Sequence, residues 1–262
     1  MKKAIFVVLS SAILMLTGCT TSQSGGSHEE LKTRSDETDA QKRANTRLDL
    51  AIGYKERRQM EDALDQIKLA LASVPDFADA YSVRGLIYMS MGQNVLAEDN
   101  FLRAISLAPN NPDFNNNYGW FLCQNHREAQ GIAQFETAIK NRMYSSPQKA
   151  LNNAGICSLR LKNTSAAENY FLQAFQIDSG NLVASVNLAK LNYDRRDYKR
   201  AKFYIEQITK ADELQADVLW LAIKIEHRIG DKLGEASLGT KLQHQHPKSP
   251  EYAAYLREAF DE

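Results

Sequence analysis

The chain of 262 residues carries few side chains able to do covalent or metal chemistry: three cysteines, Cys19, Cys123 and Cys157, and five histidines. A thiol can be alkylated, oxidised to a disulfide or, once ionised, bound to a metal. The histidines are poorly placed for metal binding. His244 and His246 stand two apart, which puts them on different faces of a helix. His28 lies beside Glu29 and Glu30 in a polar stretch and reads as solvated. His126 and His227 stand singly near the ends of expected helices, where a cation suits the helix dipole. The paired carboxylates Asp212 and Glu213 fall in an expected turn. G-x-S-x-G, H-E-x-x-H and a phosphate-cradling glycine loop are all missing from the sequence. The expectation is a protein that is not an enzyme, with no metal and no cofactor, whose cysteines serve attachment and structure.

The surroundings of Cys19 favour attachment. Lys2 and Lys3 precede a mostly apolar run, Ala4 to Leu16, that falls short of the about 20 residues needed to span a bilayer. The run ends in Leu16-Thr17-Gly18-Cys19, which resembles the lipobox of bacterial lipoprotein precursors. A small residue stands before the bond to be cleaved, and the cysteine offers a thiol to lipid. The alternative is an ordinary secretory signal with a chance cysteine. The resemblance implies removal of residues 1–18 and a Cys19 carrying N-acyl and S-diacylglyceryl groups, enough acyl chains for stable anchoring. Thr20, where an Asp would signal inner-membrane retention, implies the outer membrane, periplasmic face. Residues 19–43 hold almost nothing apolar and read as a disordered tether with an end-to-end distance of roughly 27 Å. Loss of Lys2 and Lys3 leaves 30 basic against 32 acidic residues, so no field draws the mature chain to nucleic acid.

The rest of the chain repeats. Tyr54, Tyr88 and Leu122 lie 34 apart, as do Ala63 and Ala97, Phe101 and Phe135, and Pro75 and Pro109. Six repeats begin near Ala44, Ala78, Pro112, Gln148, Leu182 and Asp217, with Ser146-Pro147 inserted in the third and Ala216 in the fifth. The eighth place, where two helices should cross closely, holds Ala51, Gly85, Gly119, Gly155, Ala189 and then Lys224. The twentieth holds Ala63, Ala97, Gly131, Ala167, Ala201 and Ala236. Apolar spacings of three and four, as in Ala63, Ile67 and Leu71, argue for helices. Asn94 and Ser165 are expected to cap second helices, and Pro75 and Pro109 to end them. Ser249-Pro250-Glu251 reads as the start of a last helix, to about Phe260, covering the apolar end of the stack.

This period and these columns resemble the tetratricopeptide repeat. The resemblance implies an all-α fold over residues 44–262: a right-handed superhelical solenoid of about six helical hairpins plus a capping helix, 251–260. In such domains the second, fifth, ninth, twelfth and thirteenth places line a groove. Here they include Leu48, Ile52, Ser82, Leu86, Met89, Asn116, Trp120, Asn152, Ile156, Leu159 and Arg160. Apolar groups with interspersed amides suit an extended peptide or an amphipathic helix. For Asn116 and Asn152 the alternative is that the amides satisfy groups between repeats, and for Trp120 that it packs on a neighbouring repeat. Trp220, at the fourth place of the sixth repeat, reads as core.

Two stretches narrow the resemblance: Asn115-Asn116-Asn117-Tyr118-Gly119-Trp120-Phe121-Leu122-Cys123 and Leu151-Asn152-Asn153-Ala154-Gly155-Ile156-Cys157. With the lipobox and six repeats, these are similar to the type IV pilus biogenesis and stability lipoproteins, the PilW/PilF group. That implies an outer-membrane scaffold, monomeric, that helps the pilus secretin reach or multimerise in the membrane. The competing reading is a periplasmic lipoprotein adaptor for envelope-protein insertion or cell-wall hydrolase recruitment.

With Cys19 consumed by lipid, Cys123 and Cys157 are the two remaining thiols, on neighbouring first helices in an oxidising compartment. A disulfide is expected between them; two buried free thiols are the alternative. For Cys19 itself, palmitate should label the wild-type chain, whereas Cys19→Ser should give an unlabelled, uncleaved or soluble precursor. A wild type that takes no label would refute the lipoprotein reading.

Overall fold

The structure, a computed structural model, describes residues 36–209 and 213–261. Cys19, His28 and the expected signal peptide lie outside them. All the α-helices among the described residues lie within one compact unit, Thr38–Glu262. Those residues form thirteen α-helices and no strand. Six antiparallel pairs follow one another: α1 Asp39–Glu56 with α2 Met60–Ser73, α3 Ala78–Ser90 with α4 Asn94–Leu107, and α5 Pro112–Gln124 with α6 Glu128–Lys140. Then come α7 Pro147–Arg160 with α8 Thr164–Ile177, α9 Leu182–Asp194 with α10 Tyr198–Glu206, and α11 Ala216–Ile229 with α12 Lys232–Gln245. The last element is α13, Pro250–Leu256. No helix among the described residues is long and apolar enough to cross a membrane.

The expected tether is helical at its end, because α1 starts at Asp39 rather than near Ala44. Thr38 caps it, its hydroxyl accepting the Gln41 N–H at 3.2 Å, and Asp39 places a negative charge on the positive end of the dipole.

Each first helix closes in the same way. One residue after it turns left-handed: Arg58, Gly92, His126, Lys162, Arg196 and Gly230, with φ between 58° and 86°. The next N–H then reaches back to a carbonyl five residues earlier, from Gln59 to Tyr54, Gln93 to Tyr88, Arg127 to Leu122, Asn163 to Ser158, Asp197 to Asn192 and Asp231 to Glu226, all at 2.9–3.0 Å. This is the Schellman closure, which satisfies carbonyls the helix end would orphan. Glycine occupies only two of the six left-handed positions, so this turn chemistry is hard to see in the sequence. The residue that makes the bond is also the N-cap of the second helix. The caps are therefore Gln93 and Asn163 rather than Asn94 and Ser165, which lie inside α4 and α8. Asn163 accepts the Ala166 N–H at 3.0 Å.

Within a pair, helices meet where one side chain is small. A Cβ added to Gly85 would lie 2.7 Å from the Phe101 ring, one on Gly119 2.8 Å from Phe135, and one on Gly155 2.5 Å from Phe171. Ala51 with Ile67 and Ala189 with Ile205 stand in the same two columns, and all four are buried. These large residues are the centres of the core, Phe101, Phe135 and Phe171 being at most 1% exposed.

The sixth repeat departs from the expected register by one residue. Asp197 and Asp231, the N-caps of α10 and α12, are 34 apart, as are Asn181 and Gln215 before α9 and α11. The repeat thus begins at Ala216, and no residue is inserted in the fifth. Its eighth place is Ile223, fully buried, rather than Lys224. Ala236, expected in the small column, is exposed. The crossing pair is reversed here: the large residue sits on α11, and the partner on α12 is Gly239. The space over Gly239 is taken by Tyr255 of α13, 2.4 Å from where a Cβ would stand. The capping helix thus plugs the column that five repeats fill from within. It is capped by Ser249, whose Oγ accepts the Tyr252 N–H at 3.1 Å, and ends at Leu256, short of Phe260.

The two inserted residues of the third repeat lengthen the connection 141–146, against four residues at 74–77, 108–111 and 178–181. The longer connection is filled rather than loose: Tyr144 is 6% exposed and packs with Phe135, Ala150 and Ala154.

Gly155→Ala should test the crossing. Its methyl would have to displace a buried Phe171 ring, and overpacking of this kind costs about 1–3 kcal/mol. The melting temperature should fall by several degrees, with helical content kept; an unchanged melting temperature would show that the helices do not meet there.

Candidate protein-binding groove

The groove places lie on the first helices, so consecutive first helices set its geometry. Several of its amides donate between repeats, while the buried Asn152 Oδ1 has no partner among the described residues. Asn117 Nδ2 donates to Ser82 Oγ at 3.1 Å, joining α5 to α3. Asn153 Nδ2 donates to Asn116 Oδ1 at 3.0 Å, joining α7 to α5. Asn152 Nδ2 donates to Asn181 Oδ1 at 3.0 Å, and Asn181 caps α9. Ser82, Asn116 and Asn152 are each at most 8% exposed. Asn116 and Asn152 therefore act first as ties between repeats, though with side chains rather than backbone groups as partners.

The apolar members behave differently. Leu48, Ile52, Leu86, Met89, Trp120, Ile156 and Leu159 are all half-buried, with one side on the core and the other open. Leu48 leans on the first-repeat cluster, Leu86 and Met89 on the Phe101 cluster, and Trp120 on the cluster of Phe135 and the two cysteines. Ile156 and Leu159 pack on the larger cluster that runs to α12. Arg160 is exposed and joins two repeats: Nη1 donates to the Cys123 carbonyl at 2.8 Å, Nη2 to Gln124 Oε1 at 3.1 Å, and the guanidinium stands 5.7 Å from the Trp120 ring centroid. A cation over an indole face is favourable, so Trp120 is part core, part rim, and its open side is already polarised.

Cys123 and Cys157 lie beneath this rim, fully buried, and a disulfide joins them, Cα to Cα 5.9 Å. It links α5 to α7 where Asn153–Asn116 and Arg160–Cys123 also cross.

The same places in the fifth and sixth repeats were missed, partly because of the one-residue shift. They hold Lys190, Tyr193, Trp220, Lys224, His227 and Arg228. Trp220 stands at the fifth place rather than the fourth; it is buried as expected, but as a covered groove residue. Lys224 Nζ lies 5.7 Å from the Tyr193 centroid and 5.6 Å from that of Trp220. Burial pushes its ammonium below the usual lysine range; Asp194 opposes this, and Lys190 and Arg228 add like-charge repulsion. His227 lies in the last turn of α11 as expected, but not singly, since its Nδ1 lies 3.2 Å from Glu235 Oε2. His126 occupies a left-handed turn, and His246 Nε2 lies 2.6 Å from the Leu214 carbonyl. The 34-residue spacing of the capping aspartates Asp197 and Asp231 is the sequence signal that would have set the register.

Three stretches, 48–112, 100–140 and 148–181, match family models described as tetratricopeptide repeats. The chain is 27% identical over 243 residues to the type IV pilus assembly protein PilF of Pseudomonas aeruginosa, covering 93% of this chain and 94% of that one. It is similar to the crystal structure of PilW, described as a widely conserved type IV pilus biogenesis factor, at 31% identity and a TM-score of 0.69, covering 81% of this chain and 98% of PilW. A solved structure of Pseudomonas aeruginosa pilF superposes with a TM-score of 0.74 at 24% identity, over 84% of this chain and 100% of that one.

Replacing both cysteines with Ala should lower the unfolding free energy by about 3–4 kcal/mol, the chain-entropy value for a loop of this size. Chemical denaturation of both forms, with the oxidised protein confirmed by mass spectrometry, measures it. Equal stability would mean the bond merely reports a contact that holds without it.

Proposed function

The chain belongs to the PilW/PilF-like family of type IV pilus tetratricopeptide proteins, and from that premise we propose that it is an outer-membrane lipoprotein scaffold that assists localisation and multimerisation of the pilus secretin. The reading is carried by the similarity to PilW, which extends over 98% of that protein. Two further features support it. A Leu-Thr-Gly-Cys motif at residues 16–19 offers a lipid attachment point. The groove presents half-buried apolar side chains, with amide N–H groups of Asn117, Asn152 and Asn153 donated to ties between repeats.

The scaffold acts by binding rather than by covalent chemistry. A segment of the secretin lies across the first helices, its apolar side chains completing the contacts that Leu86, Trp120 and Ile156 leave open. Selectivity comes from shape and from the Arg160–Trp120 rim more than from the amides, whose N–H groups are already donated between repeats. The tetratricopeptide fold alone would not assign this role, because such scaffolds serve many functions. The lipid on Cys19 places the groove beside the membrane in which the secretin assembles.

A deletion strain should lose surface pili and yield fewer secretin multimers from its outer-membrane fraction, and plasmid-borne wild type should restore both. Leu86→Ala and Trp120→Ala should each weaken secretin binding by tenfold or more, as interface anchors do. The half-buried sites should cost only about 1–2 kcal/mol of stability. Variants that bind the secretin normally while folded would move the interface off this groove, and normal piliation in the deletion strain would refute the role.

A further inference from the structure

The sixth repeat's groove is occupied by the chain itself. After α13 the backbone turns back through Glu258 at φ 55°, and the Ala259 N–H closes on the Ala254 carbonyl at 3.0 Å. Phe260 and Asp261 are thereby laid on α11. The Phe260 ring stacks on His227, centroids 3.7 Å apart, and on Trp220 at 5.5 Å, and is 7% exposed. The Asp261 carboxylate pairs with Arg228, whose Nε also lies 3.4 Å from the Tyr193 hydroxyl. Trp220, His227 and Arg228 hold the fifth, twelfth and thirteenth places of the repeat, the places that line the groove elsewhere in the stack.

Two observations separate this contact from a fixed end cap. The gap left by Gly239 is already closed by Tyr255 of α13, so the column is sealed without Phe260. The Asp261 side chain is 86% exposed, and exposed ion pairs hold little. Of the segment after α13, the buried Phe260 ring rather than the ion pair or the Gly239 column is therefore what holds it to α11. The face beneath the segment is basic: Lys190 and Arg228 lie close enough to Lys224 for like-charge repulsion, which Asp194 opposes.

We propose that the groove of the sixth repeat is a second protein-binding site, selective for an aromatic residue followed by an acidic one, and that Phe260–Asp261 holds it in cis until a partner segment of the same chemistry displaces it. This site is separate from the Leu86–Trp120–Ile156 groove, and its test needs no secretin, so either reading can fail alone.

The probe is a fluorescein-labelled peptide with the sequence of residues 256–262, Leu-Arg-Glu-Ala-Phe-Asp-Glu, titrated against the full-length protein and followed by anisotropy. Phe260→Ala/Asp261→Asn, which empties the site, should bind it at least tenfold more tightly than wild type. Asp261→Arg keeps the ring but repels Arg228, and should also tighten binding should the double variant fold poorly. Adding Arg228→Glu to either variant should abolish binding. So should replacing the peptide's Phe with Ala, or its last two acids with Asn and Gln. Excess peptide on the wild type should speed hydrogen exchange at residues 258–261. Folded Asp261→Arg that binds no better than wild type, binding indifferent to the peptide's Phe or acids, or unchanged exchange with the site saturated would each overturn the proposal and leave Phe260 as a fixed cap.

Discussion

Everything in this fold rests on how closely two helices of a repeat can cross. The approach is set by a glycine or alanine on the first helix facing a large residue on the second, as in Gly85 with Phe101, Gly119 with Phe135 and Gly155 with Phe171. With no side chain between them, the ring of one helix lies on the backbone of the other. Interiors packed to this density have no slack, and the phenyl rings concerned are almost completely buried. The sixth repeat shows that the constraint is on the pair and not on the residue. Ile223 is the large partner there, Gly239 is the small one, and a third helix supplies the missing ring through Tyr255. The same solution ends the stack, because a solenoid must cover its last apolar face.

Crossings inside repeats leave open how one repeat stands on the next, and a second class of contacts sets that. The amides of Asn117, Asn153 and Asn152 reach to the neighbouring repeat at about the same level of the groove. On the edge near the second-helix starts, Glu98 accepts from Tyr118 and Arg127 at 2.7 Å each, and Lys202 reaches Glu226 at 2.8 Å and Asp231 at 3.0 Å. Between the third and fourth repeats a covalent bond, Cys123–Cys157, adds to these. The groove floor is therefore comparatively rigid in the middle. A rigid floor lowers the entropy lost by any segment that binds it.

Much of the candidate site was legible from residue types alone, and the exceptions share a cause. The apolar groove positions from Leu48 to Leu159 were placed by counting from small-residue columns, and they are half-buried in the structure. Asn116 and Asn152 were read with two alternatives, and the hydrogen bonds favour the structural one. The disulfide was expected from two thiols on adjacent helices in an oxidising compartment, with buried free thiols as the alternative, and the structure joins them. The sixth repeat was misaligned because Ala236 imitates a column residue; it lies one position from Glu235, which bonds His227 instead. That single step hid Trp220, Lys224, His227 and Arg228 as groove residues.

The sequence by itself determined the helical hairpin, its period and its stacking into a solenoid. These follow from local periodicity and from small residues recurring at fixed offsets, which survive one or two substitutions per column. Tertiary structure alone decided the rest. The left-handed turns at Arg58, His126, Lys162 and Arg196 carry no glycine to announce them, since the closing hydrogen bond and the packed second helix enforce the conformation. The filling of the Gly239 gap by Tyr255 and the folding of Phe260 and Asp261 onto α11 join residues from different elements. Their side chains have no periodic relation to one another, so no repeat pattern could foretell that they meet.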